Sequence, residues 1–340
     1  MNRRTYILLA NGAALLVLLV VLHLGVGSVT LAPGQVLRAV LDRADEPLHR
    51  QIVWELRLPR ALIAVVAGAL LGLAGALLQA IMRNPLAEPG LTGVSAGGVF
   101  FAVLWLTRGG TMAEPGRTLP FVALAGGLAA SGLVLLMARS RSGNTNPLRL
   151  VLAGVLVSAI LSSATTFVLV RNNQALGGIL TWMIGSLNGR VWIHWNMLWP
   201  WAAFALPVGL LCAGVANALQ LGDSIAAGIG VPVERARLAL LAVAALLAAS
   251  AVAVVGAVGF VGLIGPHLTR RLVGDDARCV FPGSVIITAV LLVGADVAAQ
   301  IITLNPPFTT TPYRAGLPVG AVTALLGAPF FLYLLRRSSS

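Results

Sequence analysis

The chain has 340 residues, of which 58% are hydrophobic and only 10% charged, whereas soluble domains carry about 25% charged residues. Too little polar surface remains to dissolve a globular fold of this size. The net charge of +12 is due to arginine, because the 23 basic residues include no lysine. These arginines sit in short stretches between apolar runs, a pattern that argues against one basic face for nucleic acid.

Apolar segments lie, in chain order, at about 6–26, 61–81, 91–107, 119–138, 148–170, 191–213, 238–266, 280–301 and 316–335. A helix needs roughly 20 apolar residues to cross the hydrocarbon core. Long unbroken runs exclude the alternating pattern of a membrane barrel, so the expected fold is all-α and polytopic. The first run follows Met1-Asn2-Arg3-Arg4. It is long for a signal peptide and reads as an uncleaved first span.

The seventh run stands apart. From Leu238 to Pro266 it holds no charge, and a single helix of that length would reach about 43 Å, beyond the ~30 Å core. Glycines at 256, 259, 262 and 265 weaken a helix there. A break near 256–260 would give one full helix and one short, half-buried one, for ten crossings in total. With Arg3 and Arg4 inside, ten crossings also place Arg270, Arg271, Arg278, Arg336 and Arg337 inside, as the positive-inside rule favours. Both termini are then cytoplasmic. The outward stretch 27–60, with Arg38, Arg43, Arg50, Arg57 and Arg60, runs against that bias. No linker divides the chain, and residues 1–340 read as one membrane domain.

Catalytic signatures are missing. A lysine-free chain cannot hold a phosphate loop, and His23, His49, His194 and His267 are scattered, so no metal site is expected. Cys212 and Cys279 read as small apolar fillers. Asp296, in the middle of the 280–301 run, is the clearest charge at membrane depth. It reads either as a pathway or helix-linking carboxylate or as a water-facing residue near the outer end. In the loop 214–237, Asp223 and Ser224 can cap a short helix that Gly228 and Gly230 end. Such a helix suits a partner's groove or serves as a plain connector. The stretches Arg57-Leu-Pro-Arg60 and Asn84-Pro-Leu-Ala-Glu-Pro-Gly90 read as rigid turns.

Six blocks in order carry a resemblance. They are Leu56-Arg-Leu-Pro-Arg60; Gly75-Ala-Leu-Leu-Gln79 with Asn84-Pro-Leu-Ala87 and Gly93-Val-Ser95; Trp182-Met-Ile-Gly-Ser-Leu187; Leu221-Gly-Asp223 through Gly230-Val231; Gly259-Phe-Val-Gly-Leu-Ile-Gly-Pro-His267 with Arg270; and Leu317-Pro-Val-Gly-Ala-Val-Thr323 with Gly327-Ala-Pro-Phe330. Together they resemble the FecCD-type permeases of iron-siderophore, haem and cobalamin ABC importers, along nearly the whole chain. Two positions depart from the family's pattern: Gly316 stands where it usually has Glu, and Ala277-Arg278 where it often has His-Arg.

The resemblance implies a non-catalytic, multi-pass permease of the bacterial inner (plasma) membrane. It implies a second permease copy or paralogue, two ATP-binding-cassette ATPase subunits that bind ATP and Mg, and a periplasmic substrate-binding protein; this chain would carry no cofactor. On that basis residues 217–231 form coupling helices for the ATPase, with Leu221, Gly222, Asp223, Ser224, Ala227, Gly230 and Val231. Arg57, Arg60 and Arg314 would meet acidic residues of the binding protein, which speeds and orients docking. Gln79, Asn84, Pro85, Gly259, Gly262, Pro266, His267 and Asp296 would form the motif and pathway positions. The expected cargo is an iron-siderophore, with haem or cobalamin as the alternative. An ion-coupled secondary transporter would lean on Asp296 alone, and a membrane enzyme would need a buried nucleophile or acid–base pair that the chain does not offer.

Overall fold

A computed structural model describes residues 3–41, 43, 46–109, 118–139, 147–172, 176–304 and 316–338. The regular elements are helices. They are α1 (Arg3–Gly25), α2 (Pro33–Val40), α3 (Pro47–Gln51), α4 (Leu58–Met82), α5 (Val94–Thr107), α6 (Thr118–Ala138), α7 (Pro147–Arg171), α8 (Leu176–Ile184), α9 (Trp192–Leu211), α10 (Ala213–Gln220), α11 (Asp223–Gly228), α12 (Val233–Val255), α13 (Val261–Val273), α14 (Ala277–Leu304) and α15 (Val319–Ser338). Each apolar run of the sequence forms at least one of them.

Six helical stretches are long and apolar enough to cross a membrane, and the pair α9 and α10, bent by 45°, makes a seventh. Val94–Thr107 and Val319–Leu334 are apolar but shorter. The long uncharged run breaks as its glycines predict. α12 stops at Val255, Gly256 and Phe260 take positive φ values of 78° and 66°, and α13 resumes at Val261.

One sequence expectation is corrected at Arg57-Leu-Pro-Arg60. There is no isolated turn. A π-helical stretch, Ile52–Arg57, runs directly into α4, with Pro59 in its first turn. A π turn leaves backbone groups out of the i to i−4 ladder, so proline costs little just after it.

The core is built around α4, whose most apolar window is 83% buried, and α12, at 72%, whereas α1 is only 17% buried and faces outward. Glycines set how closely these helices approach. Gly68, Gly72 and Gly75 lie on one side of α4. A Cβ on Gly68 would strike the backbone of Ala289, one on Gly72 the carbonyl of Ser284, and one on Gly75 the carbonyl of Gly262. From the other side, Gly262 and Gly265 in α13 leave no room against Leu71 and Thr288. Small residues that let backbones touch are the usual packing device in lipid, where apolar burial drives no helix association.

Beside the start of α4, the segment before it folds back on the bundle. Trp54 stacks on Trp192 at 6.2 Å and donates its indole N–H to the Ala39 carbonyl at 3.0 Å. Trp192 donates to the Trp54 carbonyl at 2.8 Å.

Candidate functional site

Three polar constellations punctuate the apolar bundle. The first surrounds Asp296, which is fully buried in α14. Arg60 grips it with two bonds, Nε to Oδ2 at 2.8 Å and Nη2 to Oδ1 at 2.7 Å. His23 Nε2 lies 2.7 Å from Oδ2. Gln300, one turn on, donates to Oδ2 at 3.2 Å and lies 2.9 Å from His23. Three helices, α1, α4 and α14, thus share one carboxylate. A paired charge is tolerable at such depth where a lone one is not, and of the two readings for Asp296 the helix-linking one matches the structure.

Arg57 serves the same end differently. It is buried, and its guanidinium donates to the carbonyls of Leu24 at 2.6 Å, Gly25 at 3.1 Å and Val29. Orphan carbonyls at a helix C-terminus favour a cation there. A Cβ on Gly27 would collide with that guanidinium. The exposed arginines of the 27–60 stretch are Arg38, Arg43 and Arg50. Arg314 lies outside the described residues.

At the far end of α4 stands a second carboxylate, Asp223. It accepts from Arg83 Nη2 at 2.5 Å and from Arg237 Nη2 at 2.8 and 2.9 Å. The sequence reading gave Asp223 a capping role. Here Gly222 is the cap residue and Asp223 the first residue of α11, and its carboxylate serves the arginines instead. Ser224 and Ala227 are exposed beside it, Gly230 takes a φ of 85° and Val231 is half-buried. Leu221, Ile225 and Ile229 present an exposed apolar row, at 62, 52 and 63%. Nearby, Asn217 clamps Asp276 at 2.7 Å and the Ala277 N–H at 2.7 Å, fixing α10 to the α13–α14 turn. That amide, with the Arg278 N–H, holds the Asp276 carboxyl below its ordinary pKa.

The third constellation is the break itself. Phe260, left-handed at φ 66°, opens α13, and its N–H donates to Glu88 Oε2 at 3.3 Å. Beside it is a cleft of about 370 Å³, mainly apolar, whose lining includes Ser95, Ser158, Ser162, Thr165, Thr166 and Ala257 of the break; the Thr165 and Thr166 hydroxyls donate to the Leu161 and Ser162 carbonyls. Ser158, Ser162, Thr165 and Thr166 all belong to α7, spaced at about one helical turn. Sequence reading missed this stripe. Its i, i+4, i+7, i+8 hydroxyl pattern was available as a signal.

The remaining motif positions fall around these sites. Gln79 in α4 donates to the Leu263 carbonyl of α13 at 3.2 Å. Asn84 accepts the Leu86 N–H at 2.9 Å and so shapes the turn that Pro85 occupies. Gly259 is exposed in the break and Gly262 is a backbone contact with α4. Pro266 lies inside α13 without ending it. His267 meets Phe330 of α15 edge-on at 5.6 Å.

A helical bundle with several spans long and apolar enough to cross a membrane, whose core helices touch through glycines and whose buried Asp296 is held by Arg60, is built as a multi-pass membrane protein. The FecCD transport family matches residues 15–337, and the chain belongs to it: it is a permease subunit of an ATP-binding-cassette importer of the inner (plasma) membrane. It is 36% identical over 326 residues to the Fe(3+)-citrate import system permease protein YfmE of Bacillus subtilis, covering 95% of this chain and 93% of that one. It is also 36% identical over 337 residues to the iron(3+)-hydroxamate import system permease protein FhuB of the same organism, covering 98% and 85%. A solved chain of an inward-facing metal-chelate type ABC transporter superposes with a TM-score of 0.81 at 27% identity, covering 98% of this chain and 99% of the other.

Proposed function

We propose that residues 1–340 form one ten-crossing permease domain, both termini cytoplasmic, that pairs with a second copy or a paralogue. Together they move an iron-siderophore complex inward by alternating access at their interface. The observation that carries this reading is the cleft at the broken span, mainly apolar with a few serine and threonine residues in its lining. Ser95, Ser158 and Ser162 in its lining would offer a polar cargo hydrogen-bond partners where lipid offers none, and the break gives one wall a place to bend. We give the partner the face of α7, which lines the cleft and whose most apolar window is only 22% buried.

Energy enters from other chains. Two ATPase subunits holding ATP and Mg grip residues 217–231, where the exposed Leu221, Ile225 and Ile229 suit a partner's groove. A periplasmic binding protein docks at the opposite end, towards Arg57, Arg60 and Arg314. Because the Arg57 and Arg60 side chains are turned into the bundle, we assign them the shape of that face, and its steering charge to Arg38, Arg43 and Arg50, which are exposed on the surface. Iron-citrate, iron-hydroxamate and siderophore permeases outnumber the cobalamin and haemin permeases of similar identity among the relatives, and on that ground we favour an iron-siderophore.

The test is uptake into liposomes holding the permease with its ATPase and binding protein. ATP-dependent entry of ferric hydroxamate or ferric citrate is the expected result. Entry driven by an ion gradient without the ATPase would overturn the importer mechanism, and ATP-dependent entry of haem or cobalamin alone would change the cargo.

A further inference from the structure

Among the described residues, only two non-glycine side chains are held at positive φ: Arg83 at 49° and Phe260 at 66°. A left-handed conformation is costly for any side chain with a Cβ, most of all for a bulky one, and persists only where surrounding contacts hold it. The contacts here are specific. Arg83 closes the C-terminus of α4 and reaches Asp223 of α11. Phe260 opens α13, and its N–H is held by Glu88.

The stretch 84–87 runs from Arg83 to Glu88, and so links the two through the Glu88–Phe260 bond. It is a stiff one. The Asn84 N–H donates to the Gln79 carbonyl at 3.2 Å, the Ala87 N–H to the Asn84 carbonyl at 3.2 Å, and Pro85 sits inside that turn. The stretch also climbs back into the bundle. Pro89 packs where a Cβ on Gly262 would be, level with Leu71 in the middle of α4. One end of residues 83–88 is therefore tied to the partner-facing helix, and the other to the break in the long span. A third connection, Arg237 at the base of α12, brings the same Asp223 to the other side of that break, since α12 runs on to Val255.

Resting on the proposed docking of the ATPase at α11, we infer that residues 83–88 are a transmission strap: Arg83 takes up displacement of α11 through Asp223, and Glu88 delivers it to the Phe260 amide, swinging α13 against α12. Arg83 and Glu88 are positioning residues. Neither needs to touch cargo. The left-handed Phe260 is the poised element, because releasing its amide frees a conformation held only by its neighbours. Phe260 also fills the space beside Gly327 of α15, so its swing is felt by a third helix.

The test uses the whole transporter in lipid nanodiscs, with ATPase and binding protein. Cys212 and Cys279 are replaced by alanine and a reporter, Gly259→Cys, is added in the break, where a Cβ meets nothing within 4 Å. The labelling rate by a water-soluble maleimide is read without nucleotide and with ATP plus vanadate. The expected nucleotide response is about tenfold, a typical coupling between two sites. Glu88→Ala is expected to cut it below about twofold while the ATPase stays bound. Glu88→Gln keeps an amide oxygen to accept the Phe260 N–H and should restore it, as a merely structural loss would not. Arg83→Ala should match Glu88→Ala, and the double variant should be no worse than either, because two links of one strap are not additive.

A full response in Glu88→Ala overturns the strap, as does a reporter that ignores nucleotide. Failure of the docking reading looks different: Ile225→Glu would then leave the ATPase bound and stimulated, whatever Glu88 does.

Discussion

The two ends of α4 hold their charges in opposite ways. At one end Arg60 sits on Asp296, which is fully buried and shared with His23. At the other end Arg83 sits on Asp223, whose side chain is 49% exposed and shared with Arg237. Both carboxylates take two basic partners, yet their energetics differ. A buried pair is expensive to break, because whichever charge is left has no solvent. The Arg83–Asp223 pair is half-exposed on both sides, so water can replace it, while Arg237, 4% exposed, keeps a buried bond to that carboxylate. The closed end is therefore built to stay closed, and the open end to be moved.

That contrast can be broken first at Asp296. Asp296→Ala strands Arg60 in the bundle and is expected to cost about 3–5 kcal/mol. The check is the thermal midpoint of the purified permease in detergent, together with its expression level; a midpoint equal to the parent's would dissolve the distinction between the ends. Next is the glycine seam. Gly75→Ala pushes a methyl into the Gly262 carbonyl and should cost about 1–3 kcal/mol, as overpacking does, by the same measurement. Asp223→Asn keeps one oxygen to accept from the buried Arg237 and loses only a half-exposed pair with Arg83, so it should lower the midpoint less than Asp296→Ala does, yet lower uptake per ATP hydrolysed. A variant that unfolds without losing coupling would reverse the roles given to the two ends.

The smallest effect concerns pH. Asn217 and the Arg278 N–H hold Asp276 ionised below the ordinary carboxylate range. Its folded pKa is depressed, so its contribution is complete above the unfolded value, about 3.9, and is lost as pH falls through the folded one. The midpoint difference between parent and Asn217→Ala should stay level from about pH 8 to 5 and shrink below about 4. A difference that changes between pH 8 and 5 would mean another group is responsible.

Much of this was readable in the sequence because lipid leaves so few alternatives. The break in 238–266 was legible from its four glycines more than from its length, since α14 runs unbroken for 28 residues. Asp296 was visible as a charge in an apolar run. Its partner was not, because Arg60 lies 236 residues away and arginine in a short loop ordinarily means solvent. The same blindness hid Arg237, which looks like a loop charge and is buried. The π-helical approach to Pro59 escaped because proline after a polar stretch reads as a stop, and nothing local reports a widened turn. Glu88 stood in a motif that was recognised, but its partner is a backbone amide, which no side-chain pattern announces.

The seam of Gly68, Gly72 and Gly75 against α13 and α14 has a mechanical corollary. Where backbones touch there are no side chains to change rotamer, so the joint has almost no compliance of its own. α4 and α14 would travel through the cycle as one girder. Displacement must then be absorbed at its fittings: the bend at Gly256–Phe260 on one side and the turn after Met82 on the other. A rigid member with two soft joints carries a stroke from end to end with little lost on the way.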